Sequence, residues 1–398
     1  MDTKLNIGLF GYGSAGQGLY EVANESQGLE ADLKKVCVKD PNKNRGIDAS
    51  YFTVDANEIL KRDDLDVIVE LINDSDEAFE IVASALKKGQ DVVTANKKLV
   101  AEHFTKLYDL HVKYGGSFLY EGAVGGSIPV IRNLEEYYDN DLLTNVRGII
   151  NGSCNYILSK MEDGLDYDVA VKEAQDAGFA ELDPWLDVAG YDSKYKLIIL
   201  GIHAFGIVLK PDEVLNVGIQ NVSVFDIQYA KDKGLRIKLL ATASKTEKGY
   251  KLHVLPAFVD RDSLLYDITF ENNAIEIEGA FCDRQFLVGK GAGSHPTGSA
   301  VLSDLSALTY KYSYGYRKLK KNLLIDNRDF NALQANDYLI KLYVRYANED
   351  QLNRLSINKI HEQYSSESYS YVIADVTFSS LFYLMDKDVK DIFVAQIQ

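Results

Sequence analysis

Strand-like runs and helical stretches alternate through residue 120 of the sequence. The strand-like runs occupy 5–10, 34–40, 65–72 and 91–97, and a helix is predicted from Glu77 to Lys88, ending at Gly89. Near-continuous apolar runs are typical of buried parallel strands, and strand–helix alternation is typical of a doubly wound sheet. The pattern therefore predicts an α/β fold, with a Rossmann-type nucleotide-binding domain over residues 1–130.

The pattern changes after residue 130. Residues 146–161 predict a strand that turns into a helix, and the apolar run Leu197–Leu200 predicts the buried part of a helix from near Tyr191 to about Phe205. Short strands and turns are predicted over 214–290. Together they indicate an α+β domain over residues 131–295.

The last part of the chain is assigned in two pieces. A helix over about 296–322 is predicted to complete the nucleotide-binding domain. Residues 330–398 have a small β-α-β pattern with a helix-like stretch at 350–364, which predicts a small C-terminal domain. A segment of this size often depends on a partner surface for stability.

Composition excludes several classes of protein. The 398 residues have a net charge of −16, which argues against a nucleic-acid partner or an anionic membrane surface. No apolar stretch approaches the roughly 20 residues of a membrane span, and the N-terminus has no signal-peptide pattern. Three cysteines, Cys37, Cys154 and Cys282, make a disulfide framework an unfavoured interpretation. A cytoplasmic protein is expected.

A glycine loop follows the first strand in the sequence GYGSAG. Gly11 permits the tight turn, Gly13 permits the close approach of a pyrophosphate, and Gly16 lets the helix pack on the strand. The N–H groups at the start of that helix attract phosphate. A dinucleotide is therefore the predicted cofactor. The predicted contacts of this loop are Gly11, Gly13, Ser14, Ala15 and Gly16.

The choice between NAD and NADP depends on the end of the second strand. An acidic residue there suits the ribose hydroxyls of NAD, and a basic one suits the 2′-phosphate of NADP. Lys39 and Asp40 are adjacent and Arg45 follows shortly after. Side chains alternate along a strand, so only one of the first two faces the ribose. The order favours NADP slightly and leaves NAD open.

Polar residues also follow later strands. Asn96 and Lys97 lie at the end of the run 91–97, where ligands bind on such sheets. Gly152 and Ser153 begin a helix whose free N–H groups favour a carboxylate. Cys154 beside them is either a nucleophile or, more commonly for a free thiol, a small buried side chain.

The stretch FAELDPWLDVAGYDSKYKLIIL, residues 179–200, gathers acids and lysines beside an apolar run. Asp192 and Lys196 are four residues apart on the predicted helix and therefore share one face. Such a pair is usually a solvated surface. Held in a pocket, an acid and an amine can polarise a carbonyl and move a proton.

Seven pieces of this chain, in order, resemble homoserine dehydrogenases over about residues 5–310. They are GYGSAG, VCVKD, VVTANKKLVA, YEGAVGGSIPVIR, GIINGSCNYILSKM, AGFAELDPWLDVAGYDSKYKLIIL and GKGAGSHPTGSAVLSDL. The resemblance implies NAD(P)H-dependent, reversible reduction of L-aspartate 4-semialdehyde to L-homoserine, on the route to threonine and methionine. It also implies that residues 131–295 form a substrate-binding and dimerisation domain, and that the protein is a homodimer or homotetramer.

The same resemblance implies roles for individual residues. Lys196 is similar to the catalytic lysine and Asp192 to its carboxylate partner. Residues expected at the substrate are Glu181, Asp187, Lys97, Gly152 and Ser153. Lys39, Asn96, Lys97 and Gly293 join the glycine loop at the cofactor. Glu121, Val124, Gly126 and Ile128 are similar to a sodium site built mainly from backbone carbonyls.

The sequence departs from the family pattern in three places. Glu70 is followed by Leu71-Ile72-Asn73-Asp74 where a Gly-Gly pair is usual, and Ser153 and Cys154 replace threonines. The resemblance implies that residues 330–398 form an ACT-like or family-specific domain. This segment lacks the Asp-x-Pro-Gly signature of an ACT domain, which leaves threonine feedback open. Because every matched piece lies upstream, removal of the residues after about 330 is expected to leave some activity.

Two other functions remain as alternatives. A phosphorylating semialdehyde dehydrogenase would use Cys154 as its covalent nucleophile. A non-enzymatic NAD(P)-binding sensor would bind the cofactor without turnover.

Overall fold

A computed structural model describes residues 4–140, 142–247, 249–281, 283–325 and 338–397. By its internal contacts the chain divides into two compact units. The first comprises the ranges Met1–Asp139 and Lys290–Lys320, and the second Asn140–Gly289 and Lys321–Gln398. Cys282 and residues 326–337, where the expected C-terminal domain begins, lie outside the described residues.

The first unit contains a parallel sheet covered by helices. Its strands are β1 (Leu5–Phe10), β2 (Ala31–Cys37), β3 (Phe52–Thr53), β4 (Val67–Glu70), β5 (Asp91–Thr94) and β6 (Phe118–Leu119). Its helices are α1 (Ser14–Glu25), α2 (Asn57–Leu60), α3 (Ser75–Lys87), α4 (Lys97–Tyr114), α5 (Ile131–Glu135), α11 (Ser294–Thr309) and α12 (Arg317–Ile325), the last of which extends a few residues past the unit's boundary.

The described strands of this sheet run in the order β3-β2-β1-β4-β5-β6, and every pair is parallel. The order reverses beside β1, so the crevice at the carboxyl ends of β1 and β4 is the place where ligands bind in doubly wound sheets. The predicted Rossmann-type domain is confirmed. Strand β4 is fully buried, as its apolar run predicts.

Helix α11 packs against α1 through two glycines. A Cβ on Gly298 would lie 2.4 Å from the carbonyl carbon of Gly18, and one on Gly18 would lie 2.1 Å from the carbonyl oxygen of Ser294. Side chains at these positions would force the helices apart.

The stretch predicted as one helix over 296–322 is in fact two, because Lys311 and Tyr316 adopt positive φ angles between Thr309 and Arg317.

The second unit contains a mixed sheet and its own helices. The strands are β7 (Leu143–Ile149), β8 (Leu215–Asn216), β9 (Arg236–Thr246), β10 (Gly249–Val259), β11 (Asn272–Gly279), β12 (Asp283–Lys290), β13 (Leu339–Tyr346), β14 (Ile357–Ser365), β15 (Ser370–Thr377) and β16 (Ile392–Ile397). The helices are α6 (Gly152–Glu162), α7 (Tyr167–Asp176), α8 (Trp185–Val188), α9 (Tyr191–Phe205), α10 (Val224–Asp232) and α13 (Glu349–Asn353).

The described strands run in the order β12-β11-β7-β9-β10-β16-β13-β15-β14, with β8 also paired to β10. This sheet corrects two expectations for residues 214–290. Strands β9 and β10 are 11 residues each rather than short. Helix α10 was missed because its nine residues have a weak apolar periodicity, although a reciprocal Ser223–Asp226 box caps its start.

The described C-terminal residues extend the sheet of the second unit instead of forming a separate body. Strand β16 pairs with β10 through Ala257–Gln396 and Phe258–Ile397. The buried carboxylate of Asp226 accepts hydrogen bonds from Arg345 Nε at 2.9 and 3.0 Å and from the Tyr343 hydroxyl at 3.0 Å. Of the helix-like stretch predicted at 350–364, only the part in α13 (Glu349–Asn353) is helical. Most of the rest is strand β14, whose side chains are nearly all exposed.

No helix in the described part of the chain is long and apolar enough to cross a membrane.

Candidate active site

Helix α9 begins after a left-handed residue, Gly190, whose φ is +83°. From Asp192 to Phe205 the helix is buried on all sides, so it runs through the interior of the second unit. The prediction of a helix over these residues is confirmed. Its first turn presents Asp192, and the next turn presents Lys196 on the same face.

Asp192 and Lys196 form a buried ion pair. Their residues are 6% and 7% exposed, and Lys196 Nζ lies 2.6 Å from Asp192 Oδ2. The ammonium also donates to the carbonyl of Ile150 at 2.8 Å. Two acceptors therefore orient it, and the contact expected from their spacing is present. This arrangement differs from an exposed i,i+4 pair, because neither charge has ready access to water.

Asn151 joins this pair to a second carboxylate. It ends the loop after β7, and its Nδ2 donates to Asp187 Oδ1 at 2.7 Å and to Asp192 Oδ2 at 2.8 Å. Its Oδ1 accepts from the N–H of Cys154 at 2.8 Å and so caps α6. Sequence reasoning missed this residue as a site member. The visible signal was its place as the N-cap before Gly152, which indicates capping but not its two carboxylate partners.

Cys154 is inaccessible. Its exposed fraction is 0%, and its Sγ–H donates to the carbonyl of Asp187 at 3.2 Å. Burial, and then the nearby Asp187 and Asp192, raise the pKa of this thiol well above its usual value. A reactive cysteine needs an accessible site that favours the thiolate. The structure therefore gives no support to a covalent nucleophile at this position.

The other residues expected at the substrate differ in their placement. Asp187 is partly buried, and its Oδ1 accepts from Asn151. Ser153 Oγ donates to the carbonyl of Phe179 at 2.5 Å, and a Cβ on Gly152 would lie 2.7 Å from the carbonyl oxygen of Glu271. Glu181 is exposed, and its carbonyl accepts from Gln175. The structure brings Asp187 to the buried pair and leaves the Glu181 side chain at the surface.

A cavity of about 470 Å³ lies at the carboxyl ends of β1, β2 and β4 in the first unit. Gly11 has a φ of +92°, and a Cβ there would meet the carbonyl oxygen of Leu71 at 2.5 Å. A Cβ on Gly13 would meet nothing within 4 Å, which leaves room for a pyrophosphate. A Cβ on Gly16 would lie 2.5 Å from the carbonyl oxygen of Gly11, so this close packing requires glycine. These residues fit a dinucleotide.

The first turn of α1 presents Ser14 and Ala15 at the mouth of this loop, where N–H groups have no intrahelical acceptor. Gly293 precedes α11 with a φ of +121°. Ser294 Oγ donates to the carbonyl of Ser14 at 2.8 Å. The starts of two helices therefore meet beside the glycine loop, which favours an anionic ligand.

Basic side chains line the far end of the cavity. Lys39, Lys43 and Arg45 line it together with Asp74 and Glu77. Lys39 is largely exposed, and its Nζ lies 3.5 Å from Glu77. The Arg45 guanidinium lies over the Phe52 ring at 5.0 Å from the centroid and donates to the carbonyl of Lys43. Arg45 is thus the better ordered of these cations.

Asn96 and Lys97 lie beside a group of hydrogen bonds that joins the ends of β4 and β5. Buried Glu70 accepts from the N–H of Ile72 and from Thr94 Oγ1, both at 2.6 Å. Asn96 caps α4 and donates from Nδ2 to the carbonyl of Ile72 at 3.1 Å. Lys97 is the first residue of α4 and is half-buried. Burial raises the pKa of the Glu70 carboxyl to about 7.

The residues expected to hold sodium form a compact turn after β6. Both carboxylate oxygens of Glu121 are committed to the N–H groups of Ile131 and Arg132, so a cation here would depend on carbonyl oxygens. Gly126 has a φ of +55° and packs against the backbone of Gly291. Val124 and Ile128 are buried in the same turn. Among the described residues, no group of three or more His, Cys, Asp or Glu side chains is placed to hold a metal ion.

Comparison with known proteins gives one family. A model of homoserine dehydrogenase matches residues 129–306, and a model of the homoserine dehydrogenase NAD binding domain matches residues 11–121. A homoserine dehydrogenase of Lactococcus lactis is 31% identical over 92% of this chain and 88% of its own length.

Solved structures agree with these matches. A homoserine dehydrogenase from Thiobacillus denitrificans superposes with a TM-score of 0.80 at 27% identity, covering 100% of this chain and 98% of that one. A mutant of a hyperthermophilic archaeal homoserine dehydrogenase in complex with NADPH has a TM-score of 0.68 at 26% identity, covering 79% of this chain and 100% of that one.

Proposed function

Since this chain belongs to the homoserine dehydrogenase family, and is therefore an NAD(P)-dependent oxidoreductase acting on a CH–OH group, we propose that the buried pair Lys196–Asp192 is its proton-transfer centre. The observation that carries this proposal is the 2.6 Å contact between these two side chains on the buried helix α9. A charged pair is costly to bury, and a chemical role is the reason that we propose for its presence there.

The reaction interconverts L-aspartate 4-semialdehyde and L-homoserine. A nicotinamide dinucleotide held at the loop from Gly11 to Gly16 would supply or accept the hydride at the carbon that bears the oxygen. Lys196 stabilises the negative charge that grows on the aldehyde oxygen and then donates the proton that makes it a hydroxyl. Asp192 and the Ile150 carbonyl hold the ammonium in one orientation, and in the reverse direction Lys196 receives the hydroxyl proton.

Recognition of the substrate is assigned to two groups of residues. Asp187 and Glu181 bind the α-ammonium group of the substrate. Either the start of α6 at Gly152 and Ser153 or Lys97 binds its carboxylate. Support comes from the side chain of Asp187 beside the buried pair and from the helix start in the same network.

NADP is the proposed preferred cofactor. The support is three basic side chains in the cavity, one of them held over an aromatic ring. We also propose a sodium ion, held by the backbone carbonyls of Glu121, Val124, Gly126 and Ile128. Assembly as a homodimer or homotetramer and a cytoplasmic location stay predictions of the sequence analysis.

The test is a spectrophotometric assay of NADPH and NADH formation with homoserine, in the wild type and in Lys196→Ala. We expect the wild type to reduce both cofactors and the variant to lose most of its turnover while it still binds NADPH. A folded Lys196→Ala protein that turns over at the wild-type rate would exclude this residue as the proton donor.

A further inference from the structure

The side chain of Asn151 bonds both Asp187 and Asp192. It is 4% exposed, and each of its two amide hydrogens points to a different carboxylate, at 2.7 and 2.8 Å. Asp187 lies in α8 and Asp192 in α9, on either side of the turn at Gly190. The amide therefore ties the starts of two helices to the end of β7.

The orientation of this amide is fixed by the helix that it caps. Oδ1 accepts from the N–H of Cys154, so a flipped amide would put two N–H groups against a backbone donor. The contact from Cys154 Sγ to the Asp187 carbonyl holds the same segment from the other side. Both amide hydrogens are consequently aimed at the acids without freedom to turn away.

Two acids that reach the same amide nitrogen are close enough to repel each other. A neutral donor between them forms a hydrogen bond with each without neutralising either. A lysine or arginine in this place would compete with Lys196 and with the substrate ammonium for the same oxygens.

We propose that Asn151 is a positioning residue that holds the two acids in different orientations. Asp187 then faces the substrate ammonium, and Asp192 pairs with Lys196. This inference rests on the roles proposed above for Lys196, Asp192 and Asp187. Asn151 touches none of the reacting atoms in this assignment. It acts on substrate affinity through Asp187 and on turnover through Asp192.

Two substitutions separate positioning from capping. Asn151→Ser keeps a side-chain oxygen suited to a helix N-cap and removes both amide hydrogens. Asn151→Asp keeps the shape and the capping oxygen but places a third carboxylate against the other two. Asn155→Ser is the matched control, because Asn155 is a buried amide one turn further along α6 that donates to the carbonyls of 268, 270 and 272 instead of to acids.

Steady-state kinetics with homoserine, over a range of pH, are measured for the full-length variants together with NADPH binding and thermal melts. We expect Asn151→Ser to raise KM for homoserine and lower kcat, each by about 10-fold, because two hydrogen bonds to charged groups are lost. Asn151→Asp should lower kcat further and move the acidic limb of the pH profile to higher pH. Asn155→Ser should lower the melting temperature and leave KM unchanged.

Three outcomes overturn the inference. Wild-type kcat and KM in a folded Asn151→Ser protein would make the residue a cap alone. An unmoved pH profile in Asn151→Asp would show that the acids do not sense it. Unfolding of both variants while Asn155→Ser folds would assign Asn151 a purely structural role. If Lys196→Ala is inactive and the Asn151 variants have wild-type kinetics, the role of Asn151 is excluded and the proposed proton donor stands. If Lys196→Ala is fully active, the proposed proton donor itself is excluded.

Discussion

Lys196 Nζ lies 2.6 Å from Asp192 Oδ2, one turn away on a helix that is buried on every side. The same spacing on a solvated helix stabilises it by only about 0.3–0.5 kcal/mol. In the interior the two charges depend on each other, because removal of either leaves the other desolvated and unpaired. The pair is thus both the proposed chemical centre and a point where substitution affects folding.

Lys196→Ala should lower kcat by about 10²–10⁴-fold, the usual contribution of a positioned general acid. NADPH affinity should hardly change, because the glycine loop belongs to the other unit. Lys194→Ala is the matched control, since Lys194 is a second buried lysine of α9 whose ammonium lies 4.6 Å from the Tyr191 ring centroid and outside the pair. Melts with and without NADPH separate chemistry from unfolding. Equal losses of kcat in both variants would contradict a specific role.

Cys154→Ala should retain most of the activity, because direct hydride transfer needs no thiol and the wild-type thiol is buried with a raised pKa. The cost should be a modest loss of stability from the small cavity. The measurement is turnover with and without phosphate. An inactive, folded Cys154→Ala protein whose parent depends on phosphate would favour the phosphorylating alternative.

Arg45→Ala and Lys39→Ala should each lower the ratio of kcat/KM for NADPH to that for NADH, by about 10-fold for the better ordered Arg45 and less for exposed Lys39. Lys34→Ala, in the strand before this loop and bonded to Asp32 at 2.5 Å, is the control. If both substitutions leave the ratio unchanged, neither residue contacts the 2′-phosphate.

Glu70→Gln should change how stability depends on pH. The folded carboxyl titrates near a pKa of about 7, above its usual 4.5, so between these values the folded protein holds a proton that the unfolded chain releases. Wild-type stability therefore falls as pH rises through this window, by about 3 kcal/mol in total. Glutamine mimics the protonated acid and lacks this fall.

Chemical unfolding at about pH 5 and about pH 8 measures the effect. The stability of Glu70→Gln relative to the wild type should increase from the lower to the higher pH. A constant difference would show that Glu70 does not change its protonation state between these two pH values.

Removal of the residues after about 330 should destabilise the second unit, contrary to the sequence-based expectation of residual activity. Leu215, Val217 and Leu255 share one core with Leu342 and Val394 of the C-terminal strands. The truncation would expose that core and leave Asp226 buried without Arg345. Solubility and turnover of the truncated protein measure this. A soluble, active truncation would restore the original expectation.

Local patterns in the sequence predicted the parts of the site that depend on neighbours along the chain. The loop from Gly11 to Gly16 and the four-residue spacing of Asp192 and Lys196 are of this kind. The partners of Asn151 were not predictable, because Asp187 and Asp192 reach it only through the packing of α6, α8 and α9.

Strand β14 was mistaken for a helix for a related reason. Its side chains are exposed on both faces, so the polar–apolar alternation that identifies a half-buried strand is absent. Its pairing with β15 is interrupted twice by irregular register, which also hides a period of two. Backbone pairing with β15, rather than burial of its own side chains, keeps it extended.

The contact between Gly18 of α1 and Gly298 of α11 also sets an order of events during synthesis. A ribosome completes α1 early, but its partner helix emerges only after the whole of residues 140–289 has been translated. Until then the nascent cofactor-binding unit carries an uncovered helix face. Nascent chains that stop before residue 294 should therefore bind NADPH poorly, even though every glycine of the loop has been made.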